Sequence, residues 1–143
     1  MFIGLYSDVA RRGIALAQDE VRRAGWAPSP EGIRAAREHV SNLPAGHPAR
    51  DAMLLRDFYY SGGCRDMLFH VQEHRFTIPE IESALQELEL DFLDFDVDPR
   101  VRKLYRTLFG PRPELEYWQV LEKLYPRTFL GMYQFWCRAR PSP

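Results

Sequence analysis

The chain has 143 residues, 45% of them hydrophobic and 27% charged, with 19 lysines and arginines against 20 aspartates and glutamates. That length and balance suit one globular domain with its own core, or half of a larger one. They give no footprint for nucleic acid, because no block of like charge stands out, and no apolar run approaches the roughly 20 residues that span a bilayer. Met1-Phe2-Ile3-Gly4 carries no basic leader, so a cytoplasmic location without a membrane partner is expected. The two cysteines, Cys64 and Cys137, lack paired spacing and are expected as reduced thiols rather than a disulfide or a zinc cage.

Residues 2–6, Phe-Ile-Gly-Leu-Tyr, read as a buried strand, short, apolar and ended by Ser7-Asp8. Ser7 is placed to cap the next helix. Over 8–24 the apolar Val9, Ala10, Gly13, Ile14, Leu16, Ala17, Val21 and Ala24 share one arc, while Arg11, Arg12, Asp19, Arg22 and Arg23 take the other. This predicts a helix laid on a sheet and stopped by Gly25. Ser29-Pro30-Glu31 supplies an N-cap, a proline at the first helical position and an acid in the first turn of a helix reaching about 43. Pro44-Ala45-Gly46-His47-Pro48 breaks it. A short helix over about 49–58 is expected to lead into a Ser61-Gly62-Gly63 turn, and another to cover about 64–70.

Thr77-Ile78-Pro79-Glu80 has capping-box spacing, with Ile78, Ile81, Ala84, Leu85 and Leu88 on one helical face behind it. Residues 90–97 alternate, with Phe92, Asp94 and Asp96 on one side and Leu93, Phe95 and Val97 on the other, which predicts a strand with one wet face. Helices follow at about 100–109 and 114–124, then an aromatic-rich element at 131–138 that suits strand or helix, strand being favoured, and a loose tail at 141–143. Three strands with helices between them leave a parallel α/β core incomplete, since each strand needs neighbours on both sides. A missing partner sheet is the consequence.

The densest chemistry lies in residues 57–81. Turn residues beside aromatics, charges and histidines suggest a site held on a loop. His70-Val71-Gln72-Glu73-His74 matches the HxxEH pattern of inverted zinc proteases, in which two histidines one helical turn apart hold the metal and the glutamate is the base. A helix through His74 has to end before the Thr77 cap, and no third ligand is evident, so the segment is expected to be metal-free. Its plainer reading is local hydrogen bonding at a helix end. Arg65 and Asp66 are either a surface pair or the positioned charges of a substrate site walled by Tyr59 and Tyr60. Cys64 reads as a small core residue. Tyr6 and Ser7 end the first strand, which faces a crevice if that strand is parallel and central, because ligands bind outside the carboxyl ends of strands in open α/β sheets.

The segment Arg56-Asp57-Phe58-Tyr59 through Cys64-Arg65-Asp66-Met67-Leu68-Phe69-His70-Val71-Gln72-Glu73-His74-Arg75-Phe76-Thr77, set between the first strand and Leu93-Asp94-Phe95-Asp96, resembles the carboxyl-terminal half of bacterial class I S-adenosylmethionine-dependent methyltransferases. The closest likeness is to a proteobacterial group sometimes fused to tetratricopeptide repeats, and it covers essentially the whole chain. The resemblance implies a partial Rossmann-like α/β fold over 1–140, with a helical insertion at about 29–70. The first strand would be the fifth of seven, 90–97 the sixth and 132–138 the final antiparallel strand. It also implies methyl transfer, with Tyr6, Ser7, Tyr59, Tyr60, Arg65 and Asp66 on the substrate side and His70, Glu73 or His74 as candidate bases.

The family's glycine-rich cofactor turn is not found here, and Gly62-Gly63 lacks GxGxxG spacing, so no cofactor-binding residue is assigned. The expectation is a truncated transferase, inactive alone and unable to hold S-adenosylmethionine by itself. It would be completed by an amino-terminal cofactor-binding half or by a second copy of itself. The methyl acceptor is not specified. Two other classes stay open, a non-catalytic module that self-associates and an HxxEH zinc hydrolase.

Overall fold

The computed structural model describes residues 1–70 and 73–141. They form two compact units, one from Met1–Ala10 with His74–Pro143 and one from Arg11–Glu73. The tail beyond Pro141 lies outside the described residues.

The first unit is built on a four-stranded sheet in the order β2-β1-β4-β3, with β1 at Phe2–Ser7, β2 at Arg75–Phe76, β3 at Leu90–Phe95 and β4 at Tyr133–Ala139. Both β1 and β3 run antiparallel to β4, and β2 runs parallel to β1. The last strand therefore lies reversed between two strands that point the same way. Three of the four were legible from patterning, and β2 was not, because two residues carry no period. It pairs only with Tyr6 and Ser7, so the outer side of residues 2–5 has no strand neighbour among the described residues.

Two strand expectations are corrected. β1 is not buried throughout: Ile3 and Leu5 pack on the core, while Phe2 and Gly4 are exposed. Residues 90–97 do not alternate cleanly, because a register shift sets Phe92 and Asp94 against the consecutive Cys137 and Trp136. Leu93 is the extra, exposed residue, and this bulge turns both Phe92 and Phe95 toward the core. β4 keeps strict alternation, with Tyr133, Phe135 and Cys137 inside and Gln134, Trp136 and Arg138 outside.

Helices α4 (Ile78–Glu87), α5 (Pro99–Phe109) and α6 (Leu115–Leu124) belong to this unit. With the sheet they enclose an aromatic core of Phe95, Tyr105, Trp118, Phe129, Tyr133 and Phe135, in which Tyr105 stacks on Trp118 at 4.0 Å between ring centroids. α4 begins as its sequence predicts. The Thr77 hydroxyl accepts from the Glu80 N–H, and the Glu80 carboxylate accepts from the Thr77 N–H at 2.7 Å. The Thr77 N–H first, and then the Thr77 hydroxyl donating to the same carboxylate at 2.8 Å, hold the Glu80 carboxyl below its usual range. A lowered folded-state value means that this stabilisation is present above the ordinary glutamate range and is lost as pH falls through the lowered value. Thr77→Ala is expected to cost about 1 kcal/mol, read as a drop in the urea midpoint at unchanged m-value.

The second unit is helical. It contains α1 (Arg12–Ala24), α2 (Pro30–Asn42), two 3₁₀ segments (Pro48–Leu54 and Arg56–Tyr59) and α3 (Ser61–Phe69), and so takes in α1 as well as the segment 29–70. Gly25 caps α1 at φ 70°, the left-handed position that favours glycine. α2 carries the expected Ser29 cap and proline. The helix expected over 49–58 is two 3₁₀ pieces separated by the extended Leu55. Ser61-Gly62-Gly63 is not a turn but the first turn of α3. Ser7 does not cap α1, which starts at Arg12. Its hydroxyl instead accepts from the Ala10 N–H, in the turn before that helix. Among the described residues no helix is long and apolar enough to cross a membrane.

Candidate functional site

In the first unit, the carboxyl end of β1 is tied to the core by a network that patterning missed. Ser7 and Tyr133 are fully buried, and Glu122 is 2% exposed. The Ser7 hydroxyl donates to Glu122 Oε1 at 2.6 Å, and the Tyr133 hydroxyl lies 2.8 Å from both Glu122 oxygens. Because Ser7 Oγ also accepts from the Ala10 N–H at 2.9 Å, one carboxylate fixes both the end of β1 and the turn leaving it. Burial pushes the Tyr133 phenol well above its usual range; Ser7 opposes this, and the Glu122 carboxylate adds to it. A signal for Glu122 was present: it lies four residues after Trp118, on the helical face that also buries Leu121.

Of the residues expected at this crevice, Ser7 is a buried anchor rather than a free ligand group. Tyr6 is half-buried, beside the β2 pairing. His74 is exposed, with its ring 4.9 Å from Phe76.

The other expected site residues belong to the helical unit. Tyr59 and Tyr60 are exposed by 61% and 51%, so they do not wall an enclosed site there. Tyr59 donates to the Met53 carbonyl, and Tyr60 to Asp57 at 2.8 Å. The Asp57 bond is the main cause of a raised Tyr60 phenol, with Asp66 a lesser one. Arg65 and Asp66 are exposed on α3, on the side away from the buried Cys64, Met67 and Leu68. Burial pushes the Cys64 thiol up, against Arg37, which suits a core residue and not a nucleophile.

The HxxEH pattern does not lie on one helix. α3 ends at Phe69, His70 has extended backbone, and Val71 and Gln72 are outside the described residues. The facing geometry that zinc needs from histidines one turn apart is therefore not formed by α3. Among the described residues no three His, Cys, Asp or Glu side chains gather in a set that would hold a metal ion. His70 is exposed, while Glu73 is engaged by Arg11 through Nε at 2.7 Å and Nη2 at 2.6 Å. Those two side chains are 10% and 5% exposed. Arg11, expected on the polar face of its helix, is thus buried, because its partner lies far along the chain. Gln18 supports the same carboxylate at 3.4 Å and donates to the Met67 carbonyl at 2.8 Å. A carboxylate held by both nitrogens of a guanidinium is a structural group first.

Gly62-Gly63 does not offer a cofactor cradle. A Cβ on Gly63 would come within 2.5 Å of Tyr60 Cζ, the far end of an exposed side chain that would have to shift. Compared with models of known protein families and with curated proteins, the chain matches none.

Proposed function

We propose that this chain is the substrate-side, carboxyl-terminal part of a class I S-adenosylmethionine-dependent methyltransferase, and that a cofactor-binding half completes it by pairing along β1. The observation that carries the reading is the sheet itself. A final strand reversed between two parallel strands agrees with the antiparallel last strand implied by the resemblance, and the outer side of residues 2–5 is left without a strand neighbour among the described residues. An open edge of that kind is a template for another strand.

In this reading the reaction is in-line transfer of a methyl group to a nucleophile, and the contribution of this chain is positioning. The Glu122 network holds the carboxyl end of β1 rigid at the crevice rim. The exposed His70 and His74 are better placed than Glu73 to take a proton from the acceptor, since both Glu73 oxygens are bonded to Arg11. No donor-binding role falls to Gly62 or Gly63.

A second reading draws on the same edge. Phe2 and Trp136 expose 43% and 51% of their surface, with rings 5.0 Å apart, which suits a non-catalytic module that pairs with a second copy. Sedimentation and calorimetry separate the two. The methyltransferase reading expects a monomer that binds no S-adenosylmethionine alone, and micromolar binding once the chain is joined to a cofactor-binding half from a near relative. A stable dimer that gains no cofactor affinity on joining would favour the second reading.

A further inference from the structure

Helix α6 is apolar on two sides. Trp118 and Leu121 enter the core, but Tyr117, Val120 and Leu124, spaced by three and then four residues, form a second stripe that is exposed by 41%, 38% and 61%. A surface helix with one face to bury carries polar residues there instead, and a second apolar stripe marks a face made to be covered. Its amino-terminal end is held in shape, because the Tyr117 ring stacks on Phe109 at 5.2 Å and 10°. Beside that end opens a groove of about 500 Å³ reached from three elements: Glu82 of α4, Phe109 of α5, and Leu115, Glu116 and Tyr117 of α6. Glu114 and Arg112, from the connection between α5 and α6, complete a rim of three acids against one base. At the other end of the stripe the exposed Lys123 stands beside Leu124. Among the described residues neither Glu116 nor Lys123 has an ion-pair partner.

The two ends of α6 are therefore complementary to each other: an apolar groove with an acidic rim at the start, and an exposed leucine with a lysine beside it at the finish. We propose that α6 pairs antiparallel with α6 of a second copy of this chain, about a two-fold axis near Val120. In that register Tyr117 lies level with Leu124 of the second copy, which fills the groove beside it. Glu116 faces Lys123 of the second copy, because each immediately precedes a stripe residue and so lines the same side of the seam. The axis makes both contacts twice and closes the assembly at two chains. A parallel pairing would instead bring the two Glu116 to one level and the two Lys123 to another. The inference is independent of both readings of the β1 edge, which are compared in the Val120→Glu variant, where α6 no longer pairs.

The test is sedimentation velocity of the full chain over a wide concentration series. Two turns of helix make a small seam, so a reversible, concentration-dependent dimer is expected. Glu116→Lys and Lys123→Glu should each weaken it about tenfold, since each turns two attractive pairs into two repulsive ones. The Glu116→Lys/Lys123→Glu double variant, which restores opposite charges across the seam, should recover the parent's affinity, and Val120→Glu should abolish the dimer. All three positions are exposed, so the thermal transition of dilute protein should not change. If Val120→Glu lowers it, the charge exchange carries the comparison. A chain that stays monomeric throughout would overturn the inference. So would a dimer that survives Val120→Glu with its affinity intact, which would place the contact elsewhere, or charge reversals that weaken it without recovery in the double variant.

Discussion

Glu122→Ala is expected to lower the unfolding free energy by about 2–6 kcal/mol, from about 1–3 kcal/mol for each of two buried hydroxyl donors left without an acceptor. The substitution removes the acceptor of the Ser7 hydroxyl at 2.6 Å and of the Tyr133 hydroxyl at 2.8 Å, and leaves both buried donors without it. Against a typical total of about 5–15 kcal/mol, such a loss brings the unit close to unfolding. Tyr133→Phe deletes one donor while leaving the carboxylate bonded to Ser7, and should cost less, about 1.5–3 kcal/mol. Guanidinium melts followed by tryptophan fluorescence are suited to the comparison, since Trp118 lies on the same helix as Glu122. A cost below about 1 kcal/mol for Glu122→Ala would match an exposed pair and contradict the network.

Arg11→Ala should destabilise by a similar amount, about 3–5 kcal/mol, because it leaves the Glu73 carboxylate buried without its bidentate partner. Arg11→Ala with Glu73→Leu should recover much of that loss, since replacing both ends of a buried pair by apolar groups is often near neutral. The pair also separates structure from catalysis within the HxxEH segment. If Glu73 is mainly a structural anchor, Glu73→Gln weakens folding and shifts the thermal transition before it touches turnover in any completed enzyme. An unchanged melt together with lost turnover would return Glu73 to the list of candidate bases.

The two networks lie at neighbouring points along the chain, each in its own unit. Ser7 ends β1 just before the helical unit begins at Arg11, and Glu73 closes that unit just before β2. Each point is held within its own unit by a buried carboxylate.

What the sequence by itself determined is the set of features whose partners lie within a turn. The Ser29 cap with Pro30, the Thr77–Glu80 capping box and the Gly25 stop are each written in residues no more than a few positions apart, and each forms as read. What only the tertiary structure decided depends on partners distant along the chain. Arg11 reads as a polar-face residue until Glu73, 62 positions away, buries it. Glu122 lies on the buried face of its helix, but its partner Ser7 is 115 positions away and no spacing points to it. The bulge at Leu93 is set by the register of β3 against β4, and the placement of β4 between β1 and β3 by which edges remain to be covered. Local hydrogen bonds are specified by spacing, whereas burial of a charge is specified by whatever the folded chain brings beside it, and a helical or strand period carries no record of that partner.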